Sequence, residues 1–165
     1  MTRRTIVFML CLAAALNLLP DRLRAAEPDF RGQVVAVRTC DEIAVRAKAK
    51  LIAVRIARIT CPGRKQPFES GAKHFVRTLL NGRTITLKPV GHDRHRRVWA
   101  DVFLPDGRSL AYEMVKAGWA HASASAVDER LSELEQDARR AKRGIWDDTQ
   151  PASGKTKDQA QKTIR

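Results

Sequence analysis

The chain has 165 residues, with 31 Lys and Arg against 18 Asp and Glu and a formal charge of +13. That length suits one domain with a real core, and the ordinary aliphatic content excludes a chain disordered throughout. The charge excludes a neutral surface: a field of that sign attracts nucleic acid, anionic lipid or acidic polymer, or else accompanies a soluble basic protein with no polyanion partner.

The first stretch stands apart from the fold. "MTRR" is a basic n-region, and "IVFMLCLAAALNLL" is an apolar core of 14 residues. That is within the ~7–15 of a signal peptide and short of the ~20 needed to span a bilayer. Small residues in "RLRAAE" offer cleavage after Ala25 or Ala26. Residues 1–26 are therefore read as a signal peptide, which makes the protein periplasmic or secreted. Leu23 or Arg24 would sit at the third position back and fits A-x-A poorly, so an uncleaved anchor is the alternative. Cys11 has no small residue just before it, which argues against lipoprotein processing. Cleavage after Ala26 removes four arginines and one aspartate from the +13 chain and leaves +10. Cys40 and Cys61 remain, and in an oxidising compartment a disulfide is the default expectation.

"FRGQVVAVRT" reads as a strand with Val35 and Val37 on one face and Val34 and Ala36 on the other, as in a strand buried on both sides. "EIAVRA" is a second strand, "KAK" a polar turn and "LIAVRIARI" a third strand. In the third, Ile52, Val54 and Ile56 share a face, and alternation sends Ala53, Arg55 and Ala57 to the other. An arginine among small alanines has room to reach a ligand. The stretch "RITCPGRKQPF", residues 58–68, turns a Cys-Pro-Gly corner into two adjacent cations and holds no carboxylate for a metal or a proton. "ESGAKHFVRTLLNG" is helical, with Ala72, Phe75, Val76, Leu79 and Leu80 on one stripe and Asn81-Gly82 as its stop. "RTITLKPV" and "RRVWADVFL" are strands separated by "GHDRH", and "PDG" at 105–107 is a turn. "SLAYEMVKAGWA" is a short helix closed by Gly118. "SAVDERLSELEQDARRAKRG" is a longer one, with Ser125 and Asp128 as an acidic capping box and Leu131, Leu134, Ala138 and Ala141 as the buried stripe. Residues 148–165 are polar and aromatic-free, as in a disordered basic tail. Residues 27–147 thus form one α+β domain. Its order suggests a five-stranded OB-like barrel with three helices, although other α+β layouts share that order.

Four segments together resemble the staphylococcal nuclease (thermonuclease) family. "VRTCDEIAV" is similar to V-x-D-G-D-T-[VI], and "VRIARITCPG" to R-L-x-x-[IV]-D-[TC]-P-E. "HDRHRRVWADVFLPDGRSLAYEMVKAGWA" is similar to D-x-[YH]-G-R-x-[LV]-A, the D-G turn and the following helix motif. "ARRAKRGIW" is similar to A-[KR]-x-x-x-x-G-[IL]-W. The resemblance runs from Arg31 to Asp147 and implies the barrel fold.

It also implies a site. In that family two aspartates hold calcium, a glutamate orients or deprotonates the attacking water, and two arginines hold the phosphate. Phosphodiester cleavage needs an activated nucleophile and neutralisation of a charge-rich transition state. Here Arg55 and Arg97 fall on the arginines, and Asp41 falls on one metal-ligand aspartate. Thr60 stands in the other aspartate's place and Gly63 in the glutamate's. Glu42 is adjacent to Asp41, so strand alternation points it the other way. Asp93 keeps a loop aspartate that is no metal ligand, and Glu69 reaches the site only if its loop folds inward. One carboxylate and a hydroxyl make a poor calcium site, whereas two arginine forks still match phosphate. Alternatively, Arg55 is a salt-bridged strand residue and Arg97 a solvated cation.

The expectation is a domain that binds nucleic acid or another phosphate-rich polyanion through Arg55 and Arg97, with Arg94, His95 and Arg96 as flanking contacts. Calcium-dependent hydrolysis is expected to be lost. No cofactor is implied, except calcium at Asp41 if the family activity persists. The family's stacking tyrosines are absent: His95 takes one place, and "AHASASAV" covers the others. Binding is then weak, sequence-independent and salt-sensitive, and the protein a monomer. An active nuclease with a reshaped site and a cell-envelope interaction module are the other two readings. Because the resemblance makes their segments neighbours, Cys40 and Cys61 are expected to pair. Zinc held with Asp41 and His95, or two free thiols, are the alternatives.

Overall fold

The computed structural model describes residues 27–124 and 128–147. The expected signal peptide, Ser125 and the expected tail lie outside the described residues. Five strands close into a barrel: β1 (Phe30–Val37), β2 (Glu42–Ala47), β3 (Lys50–Ile56), β5 (Thr84–His92) and β6 (Val98–Phe103). Their order around the barrel is β1-β2-β3-β6-β5 and back to β1. Neighbours run antiparallel except β3 and β6, which run parallel and pair Val54, Arg55 and Ile56 with Val98, Trp99 and Ala100. Three helices pack on this frame: α1 (Glu69–Leu80), α2 (Leu110–Lys116) and α3 (Glu129–Arg140). The architecture is the α+β, OB-like barrel that the element order implies.

Alternation explains the barrel interior. Val34, Ile43, Val45, Val54, Ile56, Ile85, Leu87, Ala100 and Val102 are all buried. Helix α1 adds Ala72, Val76 and Leu80, α2 adds Leu110, Met114 and Val115, and α3 adds Leu131 and Ala138. Helix α1 follows its expected stripe, with Phe75 and Leu79 at the rim.

Four details differ from the sequence reading. Strand β1 is buried on one face only: Val35 and Ala36 are exposed, and the register slips between Val34 and Ala36, so alternation breaks there. The third strand ends at Ile56, because Arg58 turns the chain with φ 67° and Ala57 swings inward. A two-residue strand β4 (Ile59–Thr60) then pairs with β7 (His121–Ala122). The last helix begins at Glu129, and its N-cap is Asp128 itself, which accepts from the Leu131 N–H at 3.2 Å; Ala141, at the other end, is exposed.

Asp128 does more than cap. It accepts from Arg58 Nη1 at 3.1 Å and from the Tyr112 hydroxyl at 3.1 Å, and Arg58 Nη2 reaches Asp101 at 2.6 Å. The arginine that breaks β3 therefore ties the barrel to α2 and α3. At the far end, Gly118 and Gly144 meet backbone to backbone: a Cβ on Gly118 would lie 2.2 Å from the Arg143 carbonyl. Only glycine allows the Ile145 N–H to donate to the Gly118 carbonyl at 2.8 Å and dock the closing turn (Gly144–Trp146).

Cys40 and Cys61 form a disulfide with Cα atoms 6.1 Å apart and a sequence separation of 21. It joins the β1–β2 bend to the segment after β4. Replacing both cysteines with serine is expected to cost ~3 kcal/mol, from the loop entropy released in the unfolded chain. Urea denaturation of oxidised wild type and of Cys40→Ser/Cys61→Ser checks this; equal midpoints would contradict it.

Candidate functional site

Asp41 sits in the bend before β2, and its carbonyl accepts from the Ile56 N–H at 2.9 Å, which holds the bend against the end of β3. Its Oδ1 accepts from the Thr39 hydroxyl at 2.7 Å, and its Oδ2 lies 3.5 Å from Arg55 Nη2. Glu42 opens β2 directly across from Arg55 in the register. It accepts from Arg97 Nη1 at 2.6 Å and from Arg38 Nη1 at 3.3 Å. The expectation that Glu42 points away from Asp41's surroundings fails. Asp41 precedes the strand, so alternation does not govern it, and both carboxylates reach the arginine pair.

Arg97 is held from a second side. Its Nε donates to Asp93 Oδ2 at 2.6 Å, and its backbone N–H donates to Asp93 Oδ1 at 3.0 Å. The same oxygen accepts from the His95 N–H at 2.8 Å, so one aspartate organises the whole β5–β6 loop. Desolvation pushes the Asp93 pKa up, but these hydrogen bonds and the Arg97 charge outweigh it and hold the carboxyl at about 2. The Asp93 hydrogen bond in turn raises the pKa of Arg97 above its ordinary value, against some desolvation. Arg94, His95 and Arg96 are exposed on this loop; Arg94 Nε donates to His95 Nε2 at 3.1 Å. Arg96 has φ 61° where the family pattern has glycine, a left-handed conformation that strains an L-residue.

The corner "CPGRKQPF" closes on itself. The Gly63 N–H donates to Gln66 Oε1 at 2.5 Å, and the Gln66 N–H returns to the Gly63 carbonyl at 3.0 Å. Glu69 Oε2 accepts from the Lys65 N–H at 3.3 Å, a local contact within the corner. Thr60 is exposed and, with Cys61, Pro62, Phe68, His121 and Ile145, lines an open cleft of about 420 Å³. His121 is a site neighbour that the sequence pattern does not mark. It stands opposite Thr60 in the β4–β7 register, with Nδ1 3.0 Å from Glu135 Oε1 and its ring edge-on to Trp146. The "HA" dipeptide is too short to read as a strand, which is why the sequence did not place it.

The site therefore gathers Asp41, Glu42, Arg55, Asp93 and Arg97, with the disulfide beside it. Calcium wants six to eight oxygens, several of them charged. Here each of the three carboxylates already faces an arginine. Among the described residues, no three His, Cys, Asp or Glu side chains lie together as a metal set. The donors present do not fit calcium. What they leave is guanidinium: the Arg55 side chain is 45% exposed and that of Arg97 22%, so Arg55 is better placed to meet a ligand.

Residues 50–148 match the family model described as staphylococcal nuclease homologue. The chain belongs to the staphylococcal nuclease family. It is 33% identical over 125 residues to an uncharacterized endonuclease of Escherichia coli, covering 74% of this chain and 81% of that protein. It is 31% identical over 131 residues to a micrococcal nuclease of Shigella flexneri, covering 73% and 75%. It is 31% identical over 151 residues to protein ParB of Escherichia coli, covering 85% of each. Family membership gives the arginine pair its frame of reference, since Arg55 and Arg97 lie inside the matched span.

The Asp93–Arg97 pair has a pH signature. The folded pKa of Asp93 is depressed from 3.8 to about 2, so its stabilisation is complete above about pH 4 and is lost as pH falls through about 2. Asp93→Asn is expected to lower the urea midpoint by a constant amount from pH 7 down to pH 4, and by a shrinking amount below that. A difference independent of pH down to pH 2.5 would contradict the pairing.

Proposed function

We propose that this nuclease-family domain binds single or extended phosphodiester chains through Arg55 and Arg97, and that it no longer hydrolyses them with calcium. The observation that carries the reading is the fate of the acids. Thr60 and Gly63 stand where the family pattern has carboxylates, and Asp41, Glu42 and Asp93 are each engaged by an arginine. A general base commonly contributes ~10²–10⁴ in rate, so losing it together with the metal removes most of the catalytic power. Arginine forks remain suited to phosphate oxygens. The same carboxylates compete with an incoming phosphate, which supports weak, salt-sensitive binding. We place the protein in the periplasm or outside the cell, on the strength of the N-terminal leader pattern and the cysteine pairing that such compartments favour. No helix among the described residues is long and apolar enough to cross a membrane. In this reading the Cys40–Cys61 bond holds together two segments that a shared ion ties in active relatives, and the domain acts as a monomer.

A second reading has its own support. Relatives bear the names endonuclease and micrococcal nuclease, so a reshaped but active site is the competing proposal. Incubating the full chain with single-stranded DNA and RNA, with calcium, magnesium or chelator, separates the two. The account expects no chelator-sensitive cleavage. It also expects salt-dependent binding that weakens about tenfold in Arg55→Ala and in Arg97→Ala, as for a charged hydrogen-bond partner removed. The salt slope of each variant should fall by about 0.7. Chelator-sensitive cleavage that disappears in both variants would establish the second reading instead.

A further inference from the structure

We propose that the outer flank of β1, β2 and β3 is a docking surface for an anionic lipid bilayer. The proposal is independent of phosphate binding at Arg55 and Arg97. A row of register partners crosses the barrel from β5 to β3: Thr84, Gln33, Arg46 and Leu51. All four are exposed. Register partners present side chains on the same face, their strands about 4.8 Å apart. Arg31 is exposed two residues before Gln33, on the same face of β1, and Arg83 immediately precedes Thr84. Lys48 and Lys50 extend the row at the β2–β3 hairpin, whose two-residue turn has φ 47° at Lys48 and 64° at Ala49.

The charge of this flank is uncompensated. Residues 30–40, 43–68 and 70–92 hold no Asp or Glu. The arginines of the candidate site face carboxylates, whereas Arg31, Arg46, Lys48, Lys50 and Arg83 form no ion pair among the described residues. The two acids just before β1 are directed elsewhere, Asp29 to Lys88 and Glu27 to His92. Five free cations call for a polyanion, and the apolar side chains among them decide which. Leu51 is 62% exposed, and Val35 is exposed on β1, with the strand of Arg46 between the two. Aliphatic side chains gain nothing from a sugar-phosphate backbone, and the row carries no aromatic ring on which a base could stack. Against a bilayer, Leu51 and Val35 enter the acyl boundary while the flexible cationic stems reach headgroup phosphates. Each cation close to an anionic leaflet contributes about fivefold to partitioning, and a buried leucine about tenfold. Arg55 lies four residues further along β3, about 13 Å away, so docking at the hairpin and binding at the arginine pair can be read apart.

Amide hydrogen exchange of the full chain tests this, with phosphatidylglycerol vesicles, with neutral phosphatidylcholine vesicles and with an oligothymidylate. The neutral vesicles control for any insertion of the N-terminal leader. Phosphatidylglycerol should slow exchange at the β2–β3 turn at least about fivefold relative to phosphatidylcholine, as expected if even one cation engages the leaflet. Lys48→Glu/Lys50→Glu should abolish that protection. Leu51→Gln, which leaves the charge unchanged, should lower vesicle occupancy of the turn about tenfold. Lys73→Glu/Arg77→Glu makes the same charge change on α1 and should leave the turn protected. Thermal unfolding of each variant guards against misfolding. Equal protection by both kinds of vesicle, or no effect of Leu51→Gln, would overturn the proposal. So would protection confined to the Asp41 bend and the β5–β6 loop, which would place the headgroups on the arginine pair. Protection of the turn by the oligothymidylate as strong as by phosphatidylglycerol would make nucleic acid the occupant and overturn it too. An oligothymidylate effect at the arginine pair tests the phosphate reading alone, so either proposal can fail while the other stands.

Discussion

The structure turns on the double hold that Glu42 and Asp93 keep on Arg97. One carboxylate opens strand β2 and the other sits in the β5–β6 loop, so the guanidinium bridges two parts of the barrel that are far apart in sequence. Part-buried charge pairs of this kind are costly to break from one side, because the remaining charge is left without its partner. In the function proposed above, these carboxylates serve the arginines in place of a divalent cation, and an arginine already oriented by its partners meets a phosphate with less entropy to lose.

A second tie lies beside the first. The disulfide joins the Asp41 bend to the segment carrying Thr60, and the Cys40 side of it is fully buried. Bend, β3 end and β4 are thus fixed by one covalent bond and by the backbone bond from Ile56 to Asp41. Arg58, with Asp101 and Asp128, performs the equivalent service where the barrel meets its helices.

Much of the fold was legible because period-two patterns are strong signals. Ile43, Val45, Val54, Ile56, Ile85 and Leu87 all sit where alternation puts them. Alternation failed where the backbone leaves the ideal pleat: at the β1 register slip, which leaves Ala36 exposed and off the buried face of Val34, and at Arg58, whose positive φ turns Ala57 inward. The pairing of Cys40 with Cys61 was legible from the resemblance. The engagement of Glu42 by Arg97 was not, because no local pattern says which loop crosses a strand end. His121 beside Thr60, and Trp99 beside Arg55, are likewise products of strand register. A single sequence fixes which side of its own strand a residue takes, but the neighbouring strand decides what it meets.

The central claim is that the carboxylates of this site belong to arginines and not to a metal. Calorimetric titration of calcium into the full chain, with a short oligonucleotide present to complete the site, tests it most directly. The account predicts no saturable heat at millimolar calcium and no rise in melting temperature. A stoichiometric calcium isotherm that vanishes in Asp41→Asn would contradict it.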